Sequence, residues 1–187
     1  MAALLQREHA AALARQLADR TARVRALRAL DPVAMAWSPP GGGWSAGQVV
    51  EHLLVTDGSY LPKLRTLVAD PAAPRAAADA VWKPSLVGGL LVRSLESPRK
   101  LPAPKPWRIT APARTGVVDL YLAQLEETAA LLARATPLDW RRIRTSSPLS
   151  RLVRMNLGDV FTVLVTHVGR HLGQIERVQA ARLTAAA

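Results

Sequence analysis

The spacing of apolar residues along the chain predicts long amphipathic helices. In residues 2 to about 30, where Gly and Pro are absent, apolar side chains recur at helical spacing, at Leu4, Leu13, Leu17, Val24 and Leu27. Asp31-Pro32 ends this first helix because the residue before a proline disfavours helical backbone.

A second helix is predicted to begin at Ser45. Ser45 and Gln48 have the spacing of a capping box, in which each side chain accepts a hydrogen bond from a free backbone N–H of the other residue. The apolar stripe of this helix consists of Val49, Val50, Leu53, Leu54, Leu61, Leu64 and Val68. Pro62 lies inside the stripe, so the helix is expected to kink or break locally there.

Two further helices are predicted in the second half of the chain. The third begins at 115 or 116 and runs to about 135, where Thr136-Pro137 stops it. The fourth runs from about 156, with Asn156 as a possible cap, to about 183. Its apolar positions are Leu157, Val160, Phe161, Leu164, Val168, Leu172 and Ile175.

Between the second and third helices the helical pattern fails. Residues from about 71 to 113 are punctuated by prolines at 71, 74, 84, 98, 102, 104, 106 and 112, with room for a short helix from Ser85 to Leu95. Neither flank is long enough to stand alone, so we interpret the segment as a crossover. The pattern therefore predicts an all-α fold in one domain, residues 1–187: a four-helix bundle with a long Pro-rich crossover between helices 2 and 3.

Composition narrows the class of protein. Hydrophobic residues make up 49% of the chain, which argues against global disorder, and aromatics only 4%, which favours helices over a β-sandwich. The absence of cysteine excludes disulfides and thiolate ligands, so a metal would need nitrogen and oxygen donors. Arg7 and Glu8 interrupt the first apolar run, and no stretch has a membrane span's length. A cytoplasmic protein without a membrane partner is expected.

The chain is strongly basic, with a formal net charge of +11 and a sequence pI near 11.4. Such a charge is compatible with nucleic acid or another polyanion as partner. The basic residues are mostly arginines spread along the whole chain, without a run of five or six. This distribution favours solvated helix faces, and nucleic-acid binding remains an alternative that is not favoured.

Three of the four histidines suggest a metal site. His167 and His171 are four apart on the fourth helix, roughly 40° apart around its axis, so both imidazoles can reach one point. Gln174 shares that face, where it could orient a ligand. The pair alone would equally suit hydrogen bonds to a carboxylate or carbonyl. His52 lies at the margin of the second helix's apolar stripe and could supply a third ligand, whereas His9 has no partner and is predicted to lie at the surface.

Two segments that carry these histidines resemble a known family. GWSAGQVVEHL at residues 43–53, followed far downstream by THVGRHLGQI at residues 166–175, is similar to the DinB superfamily of DinB/YfiT-like metalloenzymes. The resemblance covers nearly the whole chain. It implies a four-helix bundle, commonly dimeric, with one divalent metal held by His52, His167 and His171 at one end. The long crossover and Pro62 depart from the family pattern and leave the substrate pocket open.

The resemblance also implies a chemistry, because several members are transferases or isomerases that use small thiols. We therefore hypothesise a divalent-metal-dependent transferase that joins a small thiol to a small electrophile, in a homodimer. The metal would be Zn, Ni, Fe, Mn or Co, with Zn and Ni foremost. Glu51 and Arg170, each adjoining a histidine, are weaker acid–base or anion-binding candidates for which solvated roles are expected. The alternatives are a non-catalytic, metal-stabilised bundle and a basic nucleic-acid-binding stress protein.

Overall fold

Most of the chain is helical in the computed structural model, which describes residues 4–99 and 102–185. The α-helices are α1 Gln6–Ala26, α2 Pro32–Ala36, α3 Ala46–Gly58, α4 Leu61–Ala69, α5 Leu86–Glu96, α6 Val117–Ala135 and α7 Leu157–Ala185. Short 3₁₀ turns occur at Leu27–Ala29 and Lys105–Trp107. The strands are β1 Leu4–Leu5, β2 Val81–Trp82, β3 Arg144–Ser147 and β4 Ser150–Asn156.

The helices α1, α3, α6 and α7 surround a common core. Helix α1 packs against α6 and α7, and α3 packs against the same two helices, which gives a four-helix arrangement. The apolar stripes predicted from the sequence face this core, where the buried side chains include Leu13, Leu17, Val49, Leu53, Tyr121, Leu125, Phe161 and Leu164. Burial of these stripes, at about 25 cal/mol per Å² of apolar surface, stabilises the bundle. The prediction of a mostly helical, bundle-like protein is confirmed.

The helix boundaries follow the local signals in the sequence. Ser45 and Gln48 form the predicted capping box of α3. Asn156 caps α7, because its Oδ1 accepts from the Asp159 backbone N–H at 2.8 Å while Asp159 Oδ2 accepts from the Asn156 backbone N–H at 2.9 Å. The predicted break near Pro62 is also present, since α3 ends at Gly58 and Pro62 lies in the first turn of α4.

Two small antiparallel sheets depart from the all-α prediction. Leu4–Leu5, predicted as the start of the first helix, pairs with Val81–Trp82 instead. The hairpin of β3 and β4 occupies residues that the sequence pattern left irregular. Both β1 and β2 are two residues long and lie far apart in sequence, so their pairing depends on tertiary contacts rather than on local alternation.

The segment between α4 and α6 packs against α7 and α3. The predicted short helix is present as α5, capped by Ser85, and it packs against α7. The residues after α5 then return along α3. There the Trp44 indole N–H donates to the Ile109 carbonyl at 2.9 Å, and the Gln48 amide donates to the Ala111 carbonyl at 3.0 Å. Within the described residues, no helix combines the length and the apolar character needed to cross a membrane.

The prediction that His9 lies at the surface is wrong. Its imidazole stacks on Trp82, with ring centroids 4.1 Å apart and planes 7° from parallel. The Thr162 hydroxyl donates to the Gly158 carbonyl, so His9 Nε2–H donates to Thr162 Oγ1, at 2.9 Å. Burial lowers the pKa of His9 to about 4. The histidine is therefore a neutral part of the packing between α1 and α7.

This half-buried imidazole should make the protein's stability depend on pH. The unfolded chain binds the His9 proton near pH 6.5 and the folded protein only near pH 4, so stability is complete above about 6.5 and is lost as pH falls toward 4. His9→Phe keeps the stacking on Trp82 but removes the titration. Between pH 7 and 5 we expect the parent to lose about 1 kcal/mol more unfolding free energy than the variant, measured by urea denaturation. Parallel pH profiles for the two proteins would contradict this account.

Candidate metal centre

Three buried histidines from two helices converge on one point. His52 comes from α3, and His167 and His171 come from successive turns of α7. One nitrogen from each ring lies within 4.8 Å of those of the other two. The ring centroids are 4.5 Å apart for His167 and His171, 4.8 Å for His52 and His171, and 5.3 Å for His52 and His167. The structure thus brings together the three residues singled out from the sequence.

Each histidine has an oxygen acceptor for its Nδ1–H. His52 donates to the Trp107 backbone carbonyl at 2.8 Å, and His167 donates to Asp57 Oδ1 at 2.7 Å. His171 donates to Gln174 Oε1 at 2.9 Å, which gives the orienting role expected of this glutamine a geometric basis. Because these acceptors hold the proton on Nδ1, the Nε2 lone pair of every ring is left free.

The Nε2 atoms of His167 and His171 are 3.0 Å apart in a buried space. The pKa of His171 is lowered to about 2, first by burial and then by the other two histidines. Burial also lowers the pKa of His52, so the His52 and His171 rings are neutral at pH 7 and can act as ligands. Together with His167 they form a cluster of three imidazoles, a donor set that suits a divalent cation, and the residues present therefore fit a metal ion.

An acid and a phenol behind His167 were missed in the sequence. Asp57, at the end of α3, accepts His167 Nδ1–H on Oδ1 and the Tyr121 hydroxyl on Oδ2, the latter at 2.6 Å. Burial and the adjacent Asp57 raise the pKa of Tyr121 well above its ordinary value, so the phenol keeps its proton and donates. The sequence did carry one signal for Asp57. A carboxylate within a predominantly apolar helix is costly to bury without a hydrogen-bond partner, so its presence indicates a partner nearby.

The acceptor for His52 comes from the Pro-rich segment. Trp107 lies in the 3₁₀ turn Lys105–Trp107, which packs against α3. The Trp44 ring lies against the other side of the His52 imidazole, with centroids 4.8 Å apart. Every residue has a backbone carbonyl, so nothing in the sequence indicated that the Trp107 carbonyl would accept a hydrogen bond from His52.

Glu51 and Arg170, which adjoin the histidines in sequence, have structural partners rather than the solvated roles expected. The Glu51 carboxylate is buried and accepts from the Arg114 guanidinium at 2.8 Å. Arg170 donates to the backbone carbonyls of Leu95, Ser97 and Arg99, which follow one another near the end of α5. Glu51 is therefore no longer a candidate for acid–base catalysis. The hydrogen bonds of Arg170 link the end of α5 to α7.

A cavity of about 840 Å³ opens beside the three histidines. Its walls come from α3, α5, α7, the β3–β4 hairpin and the Pro-rich segment. Apolar side chains form much of the lining, including Leu91, Leu95, Val163, Val178, Trp44 and Trp107. This volume is within the range of small-molecule sites, and the histidines lie in its wall.

Comparison with known proteins agrees with the resemblance stated from the sequence. The chain matches the DinB superfamily over residues 13–175, a range that includes all three clustered histidines and Gln174. A solved structure of YfiT from Bacillus subtilis, described as "a probable metal-dependent hydrolase with an unusual four-helix bundle topology", has a similar fold. Its TM-score is 0.58 at 17% identity, over 92% of this chain and 87% of that chain. No curated protein matches. Since the family match spans most of the sequence, the chain belongs to the DinB superfamily.

Proposed function

We propose that the protein is a divalent-metal-dependent enzyme that transfers a small thiol to a small electrophilic substrate. His52, His167 and His171 would hold the metal through Nε2, and Gln174 would position His171. The observation that carries the proposal is the set of three Nδ1–H groups, each committed to an oxygen acceptor, which leaves three Nε2 atoms facing one point. The adjoining cavity gives a substrate access to that point.

The ligand count supports a catalytic rather than a purely structural site. Structural zinc sites are closed by four protein ligands, whereas catalytic sites keep a position open. In the part of the chain that the structure describes, the group of His, Cys, Asp and Glu side chains has three members. A divalent cation bound there would act as a Lewis acid that lowers the pKa of a bound thiol or water.

The surrounding side chains would orient the site and its substrate. Asp57, Gln174 and the Trp107 carbonyl hold the three imidazoles in one tautomer, so the site requires little rearrangement to bind a cation. Tyr60 also lines the cavity, and burial raises the pKa of its phenol, so it stays protonated and can donate a hydrogen bond to a substrate.

Hydrolysis is the second candidate function. The description of YfiT as a probable metal-dependent hydrolase favours it, and the same three histidines and cavity could serve water in place of a thiol. The two reactions differ in the nucleophile alone, so product analysis separates them.

The test offers the metal-loaded protein an electrophile with and without a thiol. We expect 1-chloro-2,4-dinitrobenzene to be converted to its conjugate with glutathione or cysteine, detected by mass spectrometry, and expect His52→Ala to reduce the rate to the uncatalysed background. Ester hydrolysis of p-nitrophenyl acetate that needs no thiol would favour the hydrolase instead. Full metal occupancy without turnover on either compound would favour the non-catalytic, metal-stabilised bundle.

A further inference from the structure

The charge that the cavity offers to a ligand is positive. Among the described residues, its lining contains three charged side chains outside the histidines: Asp57, Arg170 and Arg177. Both oxygens of Asp57 are already engaged, one by His167 and the other by Tyr121. The carboxylate is therefore unavailable to a ligand, and the charge presented to the cavity is positive.

Neither arginine forms an ion pair within the part of the chain that the structure describes. The donors of Arg170 are directed to backbone carbonyls, which leaves its charge uncompensated by an acid. Arg177 is exposed, and the adjacent Glu176 is paired with Arg23 instead.

Helix periodicity places Arg177 on the same side of α7 as Arg170 and Gln174. Arg170, Gln174 and Arg177 are spaced i, i+4 and i+7, and all three line the cavity. At 1.5 Å per residue, Arg177 lies roughly 9 Å along the axis from His171. Apolar side chains also line the cavity, with Leu95, Val163 and Val178 among them. A ligand that reaches from His171 to Arg177 must therefore be elongated, and much of the lining it meets is apolar.

We infer that the cavity binds an elongated ligand with one reacting end at the histidines, an apolar body, and an anionic group that pairs with Arg177. A carboxylate, sulfonate or phosphate shares the required chemistry, because each accepts two hydrogen bonds from a guanidinium. The inference rests on the proposed function in treating this cavity as the substrate site. Arg177 is a specificity-determining residue in this arrangement and makes no contact with the reacting atoms.

Two fluorescent probes with the same ring system test the charge requirement. 8-Anilinonaphthalene-1-sulfonate carries a sulfonate, and N-phenyl-1-naphthylamine is its uncharged counterpart. For Arg177→Gln we expect the Kd of the sulfonate to rise about tenfold, the effect of losing one charge-assisted hydrogen bond, and the Kd of the uncharged probe to stay within twofold. Arg177→Lys, which keeps the positive charge, should retain most of the affinity for the sulfonate.

Control variants locate the probes and separate local charge from net charge. Arg15→Gln removes the same charge from an exposed position on α1 outside the cavity lining, and it should leave both Kd values unchanged. Ser94→Trp fills part of the cavity and should weaken both probes. An equal loss for both probes in Arg177→Gln, an equal loss in Arg15→Gln, or no loss in Ser94→Trp would overturn the inference.

The metal content of the same Arg177→Gln sample distinguishes this inference from the proposed function. Arg177 is not one of the three candidate metal ligands, so the metal content of Arg177→Gln should equal that of the parent. If the protein binds the sulfonate probe selectively but contains no metal, the anion site is supported and the proposal of a metal-dependent enzyme is contradicted. Full metal content with no charge selectivity would leave the metal centre intact and overturn the anionic ligand.

Discussion

Replacing His171 with alanine is expected to abolish metal binding. The variant loses one of three ligands and leaves the Nε2 of His167 without its partner 3.0 Å away. Loss of an outer partner of a ligand already costs roughly 10- to 100-fold in metal affinity, so loss of the ligand itself should cost more than 100-fold. Elemental mass spectrometry of untagged protein should show near-stoichiometric metal in the parent and almost none in His171→Ala.

His9→Phe is the matched control, because it removes a histidine outside the cluster and should keep the metal. Thermal denaturation gives a second readout. A cation at 100 times its Kd stabilises the folded state by about 2.7 kcal/mol, which raises the Tm of a protein of this size by about 5–10 °C. That increase should be absent in His171→Ala. A parent that stays empty after dialysis against Zn²⁺, Ni²⁺ and Mn²⁺ would contradict the metal centre, and polyanion binding would become the leading hypothesis.

Replacing Asp57 with asparagine is expected to weaken metal binding by about 10- to 100-fold without removing a ligand. The carboxylate accepts His167 Nδ1–H and thereby makes the imidazole a stronger donor through Nε2. A neutral amide supplies less negative charge, and its NH₂ group is a donor that can accept from neither His167 nor Tyr121, so only the amide oxygen remains as an acceptor. Competition with a metal chelator, followed by elemental analysis, measures the change in affinity.

Asp119→Asn provides the control for this substitution. Asp119 is an exposed acid that pairs with Arg28, so its replacement changes the net charge equally without contacting a histidine. Its metal affinity should equal that of the parent. If Asp57→Asn binds metal as tightly as the parent, Asp57 has no part in tuning the site, and its contact with His167 serves packing alone.

The sequence predicted the half of the site that lies on one helix. His167, His171 and Gln174 share a face because helical spacing fixes their angles, and local hydrogen bonds make that spacing reliable. His52, at the margin of the second helix's apolar stripe, was proposed from its position as a possible third ligand, and the resemblance implied the same residue. The same local rules predicted the capping box at Ser45 and a cap at Asn156, since each depends on residues three apart.

Errors arose where distant segments decide the environment. His9 looks like a surface histidine in its own helix, but Trp82 and Thr162, from two other segments, contact it and leave it half-buried. Likewise, β1 and β2 are too short for alternation to show, and each exists because the other is within hydrogen-bonding distance. Local periodicity carries no information about such contacts.

The sequence by itself determined that this chain forms long amphipathic helices, that it can offer only nitrogen and oxygen ligands, and that two histidines share one helix face. The thiol substrate, the homodimer and the cytoplasmic location remain predictions. Only the tertiary structure decided that His52 meets the pair, and that Asp57 and the Trp107 carbonyl fix the imidazole tautomers. The physical reason is the separation along the sequence of the residues that interact. Helix geometry is set within a few residues, whereas these contacts join positions 55 and 110 residues apart, which only packing brings together.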